Sequence, residues 1–333
     1  MFGYVYLLEK QLAAAAPAAA AVANSSGIAT AVVTRPTNPL EHIKYMAWYH
    51  DSPSETAGFS NLNLRVETAS EVVALTKQTG YPSLLDAYTS LWKRNGTNNH
   101  LYLRPDYKAA VAKFATAAKP LLANSSIIGF NLGDELSWSC LTPSDLANGA
   151  AELRSHFPRG GAVIWYNEAS GPLDPTSRWR VPRPWGPADC PEIHESYSIP
   201  AALDWFSVDI YHALENSSNF VVSQVKDFYE ANIFPHLSPE QRTVLVPGSF
   251  GCNRTMSTCD AAAYDRQCTR DAHDFIAWAT ADTRVVGVFP WHWAPCPKCE
   301  VGDRGGTRDL PATRFVWEEF GRKIKAGRVL VIS

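Results

Sequence analysis

The sequence predicts a (β/α)8 TIM barrel, a single domain with long rim loops. Eight short β-branched or apolar runs recur at αβ spacing between residues 41 and 326. Several of these runs are apolar almost throughout, as strands covered on both faces are. The chain has 333 residues, 46% apolar and 19% charged, which suits one large core and excludes a disordered, charge-driven binder. A net charge of −3 gives no electrostatic reason to expect a nucleic-acid partner. No run of 18 or more apolar residues marks a membrane span.

Residues 1–40 come first and stand apart. They hold an alanine run broken by Pro17, then Ala21-Val22-Ala23 before Asn24. That is the small-x-small form of a signal-peptidase site, without the usual basic n-region. The segment reads as a signal or as an Ala/Pro linker, and the catalytic domain as residues 41–333.

The expected strands are 43–49, 60–66, 82–86, 127–133, 162–167, 204–210, 242–247 and 285–291. Expected helices cover 69–79, 106–122, 143–155, 261–280 and 308–325. In 106–122, Val111, Phe114, Ala118 and Leu121 recur at three- and four-residue steps. Thr68 and Thr142-Pro143-Ser144 carry helix-start chemistry. No helix is evident between 50 and 60. Seven prolines in 171–203 (172, 175, 182, 184, 187, 191 and 200) exclude an ordinary helix and predict a rim loop. A doubly wound sheet is the rival fold, but no Gly-rich phosphate loop follows any strand.

Five Asn-x-Ser/Thr sequons, at Asn24, Asn95, Asn124, Asn216 and Asn253, point to a secreted glycoprotein. The seven cysteines agree. Cys252, Cys259 and Cys268 follow the seventh strand, Cys296 and Cys299 the eighth, and Cys140 and Cys190 two earlier ones. This grouping predicts that the five late cysteines lie together, most in disulfides, with the odd one a thiol or paired to another chain. Cys296-Pro-Lys-Cys299 has no second pair to complete a zinc site. Neither a metal nor a cofactor is expected, and nothing specifies an oligomeric state.

In such a fold, side chains at the carboxyl ends of strands face the functional mouth. Reading them off gives His50 and Asp51, Asp86, Asp134 and Glu135, Glu168, Asp209 with Tyr211 and His212, and Trp291-His292-Trp293. Four carboxylates, Asp134, Glu135, Glu168 and Asp209, terminate apolar strands. Converging acids raise one another's pKa and poise one as a general acid. The aromatic set Trp48, Tyr49, Trp138, Trp165, Tyr211, Trp291 and Trp293 suits stacking on sugar faces. His212 and His292 are further substrate contacts in this reading, against the plainer role of satisfying hydrogen bonds. Pro247-Gly248-Ser249-Phe250-Gly251 misses the serine-hydrolase elbow at its first glycine.

Gly129-Phe130-Asn131-Leu132-Gly133-Asp134-Glu135 resembles the fourth strand of TIM-barrel glycoside hydrolases, especially the Asp-Glu pair of β-N-acetylhexosaminidases. The resemblance implies Glu135 as the acid that protonates the leaving oxygen, and Asp134 as the residue that orients the substrate's acetamido nucleophile. Trp165-Tyr166-Asn167-Glu168 is loosely similar to that family's next-strand Trp-x-Glu. The wider clan of retaining glycosidases places a nucleophilic Glu after strand seven, where this chain has Ser249 and no acid; Asp209 is then the side-chain partner to expect. The expected function is a secreted glycoside hydrolase acting on a polysaccharide or glycan. Two rivals remain: a divalent-metal lyase or isomerase using the carboxylates of three successive strands, and a non-catalytic carbohydrate-binding barrel.

Overall fold

A computed structural model of the protein describes residues 40–50, 52–97, 100–173, 198–211, 221–253, 260–295 and 304–327. Along the chain run β1 (Tyr45–Met46), α1 (Pro53–Thr56), β2 (Asn63–Val66), α2 (Ala69–Thr79), β3 (Ser83–Asp86), α3 (Tyr88–Leu91), β4 (Trp92–Arg94) and β5 (Leu101–Leu103). Then come α4 (Tyr107–Ala123), β6 (Ile127–Asp134), α5 (Pro143–His156), β7 (Val163–Ala169), β8 (Trp205–Asp209), α6 (Val222–Asn232) and β9 (Arg242–Leu245). The chain continues with β10 (Phe250–Asn253), α7 (Ala261–Ala281), β11 (Val285–Val288), β12 (Arg304–Gly306) and α8 (Pro311–Ala326).

Each of the eight apolar runs contains a strand of one parallel sheet, in the order β1-β11-β9-β8-β7-β6-β3-β2. Successive strands are therefore neighbours, and the last, β11, lies beside the first. The sheet is curled. Tyr49, just past β1, meets Trp165 of β7 edge to face at 6.2 Å, although β11, β9 and β8 lie between their strands. Ala47, Leu62, Leu84, Val244 and Phe289 join these rings on the concave face. Phe130, Ile164, Tyr166, Phe206 and Leu245 belong to the larger core that the helices cover.

The two end strands, β1 and β2, are linked through Asn61. Its N–H donates to Met46 O at 3.0 Å, its Oδ1 accepts from Met46 N at 3.0 Å, and its Nδ2 donates to Lys44 O at 3.1 Å. A carboxamide carries a peptide's own donor and acceptor, so the buried side chain stands in for strand backbone.

The helix starts follow their capping chemistry. Thr68 accepts from Glu71 N at 3.2 Å, Thr142 from Asp145 N at 3.0 Å, and Asp260 from Ala263 N at 2.9 Å. Three features depart from the sequence reading. A four-residue α1 occupies the stretch expected to lack a helix. An antiparallel hairpin, β4 with β5, and a second pair, β10 with β12, flank the main sheet. Each is too short for a two-residue alternation to register. The α6 helix buries Val222, Val225 and Tyr229, a stripe of three residues that gives little periodic signal.

The N-terminal residues 1–39, most of the proline-rich loop (174–197), Asp51 and His212 lie outside the described residues, as do Cys190, Cys259, Cys296 and Cys299. Cys140 and Cys252 are disulfide-bonded. Cys268 is a buried thiol beneath β10, donating to Phe250 O at 3.6 Å.

Asn61→Ala should keep the backbone bond to Met46 O but remove the two side-chain bonds, leaving Met46 N–H and Lys44 C=O without these partners. The expected loss is about 2–4 kcal/mol of stability, read as a lowered urea midpoint at unchanged slope. An unchanged midpoint would show that the link is dispensable.

Candidate active site

The site begins with a defect in β6. Asn131 and Asp134 pair with Trp165 and Asn167 of β7, so three steps on one strand face two on the other. That extra residue is a bulge, and it restores Asp134 to the concave face that plain alternation from Asn131 would have denied it. Gly133 makes the bulge, with φ +140°, and a Cβ there would approach the Leu136 side chain at 2.7 Å. Glu135 follows in the left-handed region, with φ 48° and ψ 40°. Its N–H still reaches Asn167 O at 2.9 Å, which holds the turn in register with β7. A non-glycine residue there costs of order 1–3 kcal/mol, strain of the kind that gathers at functional sites.

A one-way chain of hydrogen bonds crosses the concave face to Asp134. Trp165 Nε1 donates to Ser207 Oγ at 2.9 Å, Ser207 Oγ to Asn167 Oδ1 at 2.7 Å, and Asn167 Nδ2 to Asp134 Oδ1 at 2.8 Å. An indole only donates, so every later bond has a fixed direction and Asp134 receives as an acceptor. Asn167 and Ser207 were absent from the sequence-derived site. The signal was available: Asn167 lies two residues beyond Trp165 and so shares its face.

Asp209 ends β8 on the same concave face, buried, with Oδ2 accepting from Tyr211 OH at 2.8 Å. Its other oxygen, Oδ1, is buried and finds no donor among the neighbouring atoms. Glu135 is in contact with it. Burial, then the charges of Asp209 and Asp134, push the Glu135 carboxyl well above the ordinary range. Burial, then the Asp134 charge, lifts Asp209 to about 7, although its bonds to Tyr211 and Glu135 oppose the rise. A proton held on Glu135 supplies the donor that Asp209 Oδ1 lacks. Two like charges in contact cannot both persist in this setting, so the pair keeps a proton between them.

The Glu168 charge adds to the rise of both Glu135 and Asp209, but its carboxyl lies on the other face of the sheet. It is buried on the helix side of β7, where Ser137 Oγ and Ala169 N donate to its Oε1 at 2.7 and 2.8 Å and Tyr166 OH to its Oε2 at 2.7 Å. Leu136 N donates to the same Tyr166 hydroxyl at 3.1 Å. Glu168 thus anchors the 3-10 turn Leu136–Ser139 that carries the chain away from Glu135. Parity explains this placement: with Trp165 facing inward, position 168 must face outward. This also separates the three carboxylates that the metal-dependent reading required. Among the described residues, no group of three or more His, Cys, Asp and Glu could hold a metal ion.

The aromatic candidates divide in the same way. Trp48 and Trp293 are buried in the outer core, 5.1 Å apart, with Trp48 also against Phe59 and Trp317; neither ring has a face open to a ligand. Trp165 and Tyr49 are buried in the concave floor. Trp138 is partly exposed on the turn after Glu135. Tyr211 and Trp291, both partly exposed, stack at 5.1 Å and 16° beside the acids. His292 is buried, its Nδ1 on Ala294 O, and stacks on Phe250; the Trp291–His292 peptide is cis. Ser249 is consumed structurally, its Oγ accepting from Thr307 Oγ1 at 2.8 Å and Trp317 Nε1 at 3.0 Å. A cavity of about 350 Å³ opens beside Asp134, lined also by Glu67, Asp86, Arg94 and Ser139. Its size is that of a small-ligand site.

No protein-family profile matches the chain, and no curated protein matches its sequence. Solved structures do match. They include a β-glucuronidase from an uncultured Clostridium (TM-score 0.51, 10% identity, 84% of this chain and 50% of that one). A GH2 β-galacturonidase from Eisenbergiella tayi gives TM-score 0.51 at 10% identity over 81% of this chain and 46% of that one. An endo-laminarinase from Formosa gives 0.50 at 11% identity over 78% and 81%. The chain spans about half the length of the first two. These structural neighbours are glycoside hydrolases, and the likeness is one of fold: an α/β-barrel type of sheet wrapped by helices.

Titration of the acid pair should be visible in stability. A carboxyl whose folded pKa is raised favours folding below its unfolded value near 4 and loses that advantage as pH rises through about 7. Asp209→Asn should therefore gain stability over the parent as pH goes from 5 to 8, by on the order of 2 kcal/mol. Urea midpoints at the two pH values decide it, and a difference independent of pH would contradict the assignment.

Proposed function

We propose that the chain is a secreted glycoside hydrolase, built as a closed (β/α)8 barrel over residues 41–333, in which Glu135 is the general acid. One observation carries the reading. Glu135 is a partly exposed residue whose carboxyl contacts a second acid, Asp209, and neighbours a third, Asp134, at the carboxyl ends of strands. Such a group keeps its proton at neutral pH and can deliver it to a glycosidic oxygen as that bond breaks. The stacked rings of Tyr211 and Trp291 offer an aromatic surface for a sugar beside Asp209, and the cavity lined by Asp134 offers space on the other side of the acids.

Asp209 serves this acid as the group that shares its proton. A retaining pair stands ~5–5.5 Å apart and an inverting pair ~6.5–9.5 Å, spacings that leave room for the sugar carbon or a water. Two carboxyls in contact leave neither. Asp134, fixed by Asn167, is left to orient the substrate beside the acid. Carbohydrate is the partner in this reading. Passage through the secretory pathway is supported by the five sequons and by the exposure of Asn95 and Asn124, which puts two of them within reach of a glycosylating enzyme.

The test is Glu135→Gln. Turnover of unactivated oligosaccharides should fall by roughly 10²–10⁴-fold, binding of the same oligosaccharide should persist, and aryl glycosides with good leaving groups should recover much of the rate. Parent-like turnover of unactivated substrates by the variant would place the acid elsewhere. Binding with no turnover by the parent protein itself would favour a carbohydrate-binding role.

A further inference from the structure

The concave face holds an acid and its proton partner, but no carboxylate at the end of the seventh parallel strand. Val244 and Val246 face inward there, so Gly248 occupies the next inward position. A Cβ on Gly248 would meet Tyr211 Cδ1 at 3.0 Å and Tyr211 Cβ at 3.3 Å. The tyrosine ring thus fills the place a longer side chain at 248 would take. It is held there by stacking on Trp291 and by an edge contact with Phe250 at 5.7 Å. Its hydroxyl points at Asp209, 2.8 Å from Oδ2.

We propose that Tyr211 is the catalytic nucleophile of this site, with Asp209 as the base that takes its proton. The inference rests on the glycosidase reading with Glu135 as acid. Tyr211 Oη bonds to Asp209 Oδ2 at 2.8 Å and Glu135 contacts the same Asp209, so one carboxylate brings the phenol and the acid to one place on the concave face. Burial, then the charges of Asp209, Asp134 and Glu135, push the Tyr211 phenol well above its ordinary range, so it attacks only as its proton passes to a base, and Asp209 Oδ2 is in contact with that proton.

The step balances. Tyr211 Oη forms a bond to the anomeric carbon while its proton passes to Asp209 Oδ2. The glycosidic C–O bond breaks, and its electron pair stays on the leaving oxygen, which takes the Glu135 proton. In the second half Glu135, now ionised, draws a proton from water. The water oxygen attacks the anomeric carbon, the bond to Tyr211 breaks, and the phenol recovers its proton from Asp209. The sugar leaves with its anomeric configuration retained.

The experiment uses the full chain and an aryl-glycoside panel covering both anomers of several hexoses, uronic acids and N-acetylhexosamines. The sugar released defines the probe, its 5-fluoroglycosyl fluoride, which keeps the substituent at C2 and slows the second half-reaction. The proposal expects a retained product by NMR and one sugar-labelled peptide with the label on Tyr211 by mass spectrometry. Tyr211→Phe should lose on the order of 10³-fold in kcat. Azide should restore turnover of an activated glycoside by Tyr211→Ala, giving a glycosyl azide, which a merely structural tyrosine would not do. An inverted product, a label on a carboxylate, or a Tyr211→Phe rate within about ten-fold of the parent overturns it. So does a retained, unlabelled reaction blocked by a sugar thiazoline, which would assign the nucleophile to the substrate's acetamido group. Absence of turnover by the parent protein across the whole panel would instead remove the glycosidase reading, and this proposal with it.

Discussion

Everything distinctive about the concave site depends on a buried carboxylate with one oxygen satisfied and one not. Asp209 Oδ2 has the Tyr211 hydroxyl, and Oδ1 has no donor unless Glu135 is protonated. Burying an unpaired acceptor or a second charge costs several times what a single hydrogen bond returns. A proton on the neighbour Glu135 would meet that cost, and on the proposed reading that proton is the one a general acid delivers. Desolvation, the largest cause of the raised carboxyls, does more here than any one contact.

The surrounding structure can be understood as the means of maintaining that pair. The bulge at Gly133 turns Asp134 inward, and the left-handed Glu135 then swings its carboxyl towards Asp209. Glu168 accepts from Ser137 Oγ of the following turn, and Leu136 N of that turn bonds to Tyr166 OH, so two hydrogen bonds tie the turn beside Glu135 to β7. The chain from Trp165 through Ser207 and Asn167 fixes Asp134 from the other side. Each bond of the chain from Trp165 to Asp134 is made, and such a connected network holds its members rigidly.

The eight strands and the positions of Glu135 and Asp209 were legible in the sequence because both follow from hydrophobic runs and where they stop. What was not legible depends on facing, which a single residue of register reverses. Glu168 and Asn167 are adjacent, yet one anchors a turn behind the sheet and the other lines the site. Trp48 and Trp293 were expected at the mouth and lie instead in the outer core against Trp317. The bulge in β6 could not be inferred from alternation, because it breaks alternation. Gly248 drew no notice as a glycine inside a motif that failed to match; only the ring of Tyr211 above it gives the position meaning.

The central claim is that Glu135 is protonated at neutral pH against an ionisable Asp209. Infrared difference spectroscopy of the protein at pH 7 against its Glu135→Gln variant tests this directly, through the carbonyl stretch of a protonated carboxyl. The account predicts such a band in the parent, shifted by deuterium exchange and lost in the variant. An unchanged spectrum in that region, with only ionised carboxylate bands removed by the substitution, would contradict it.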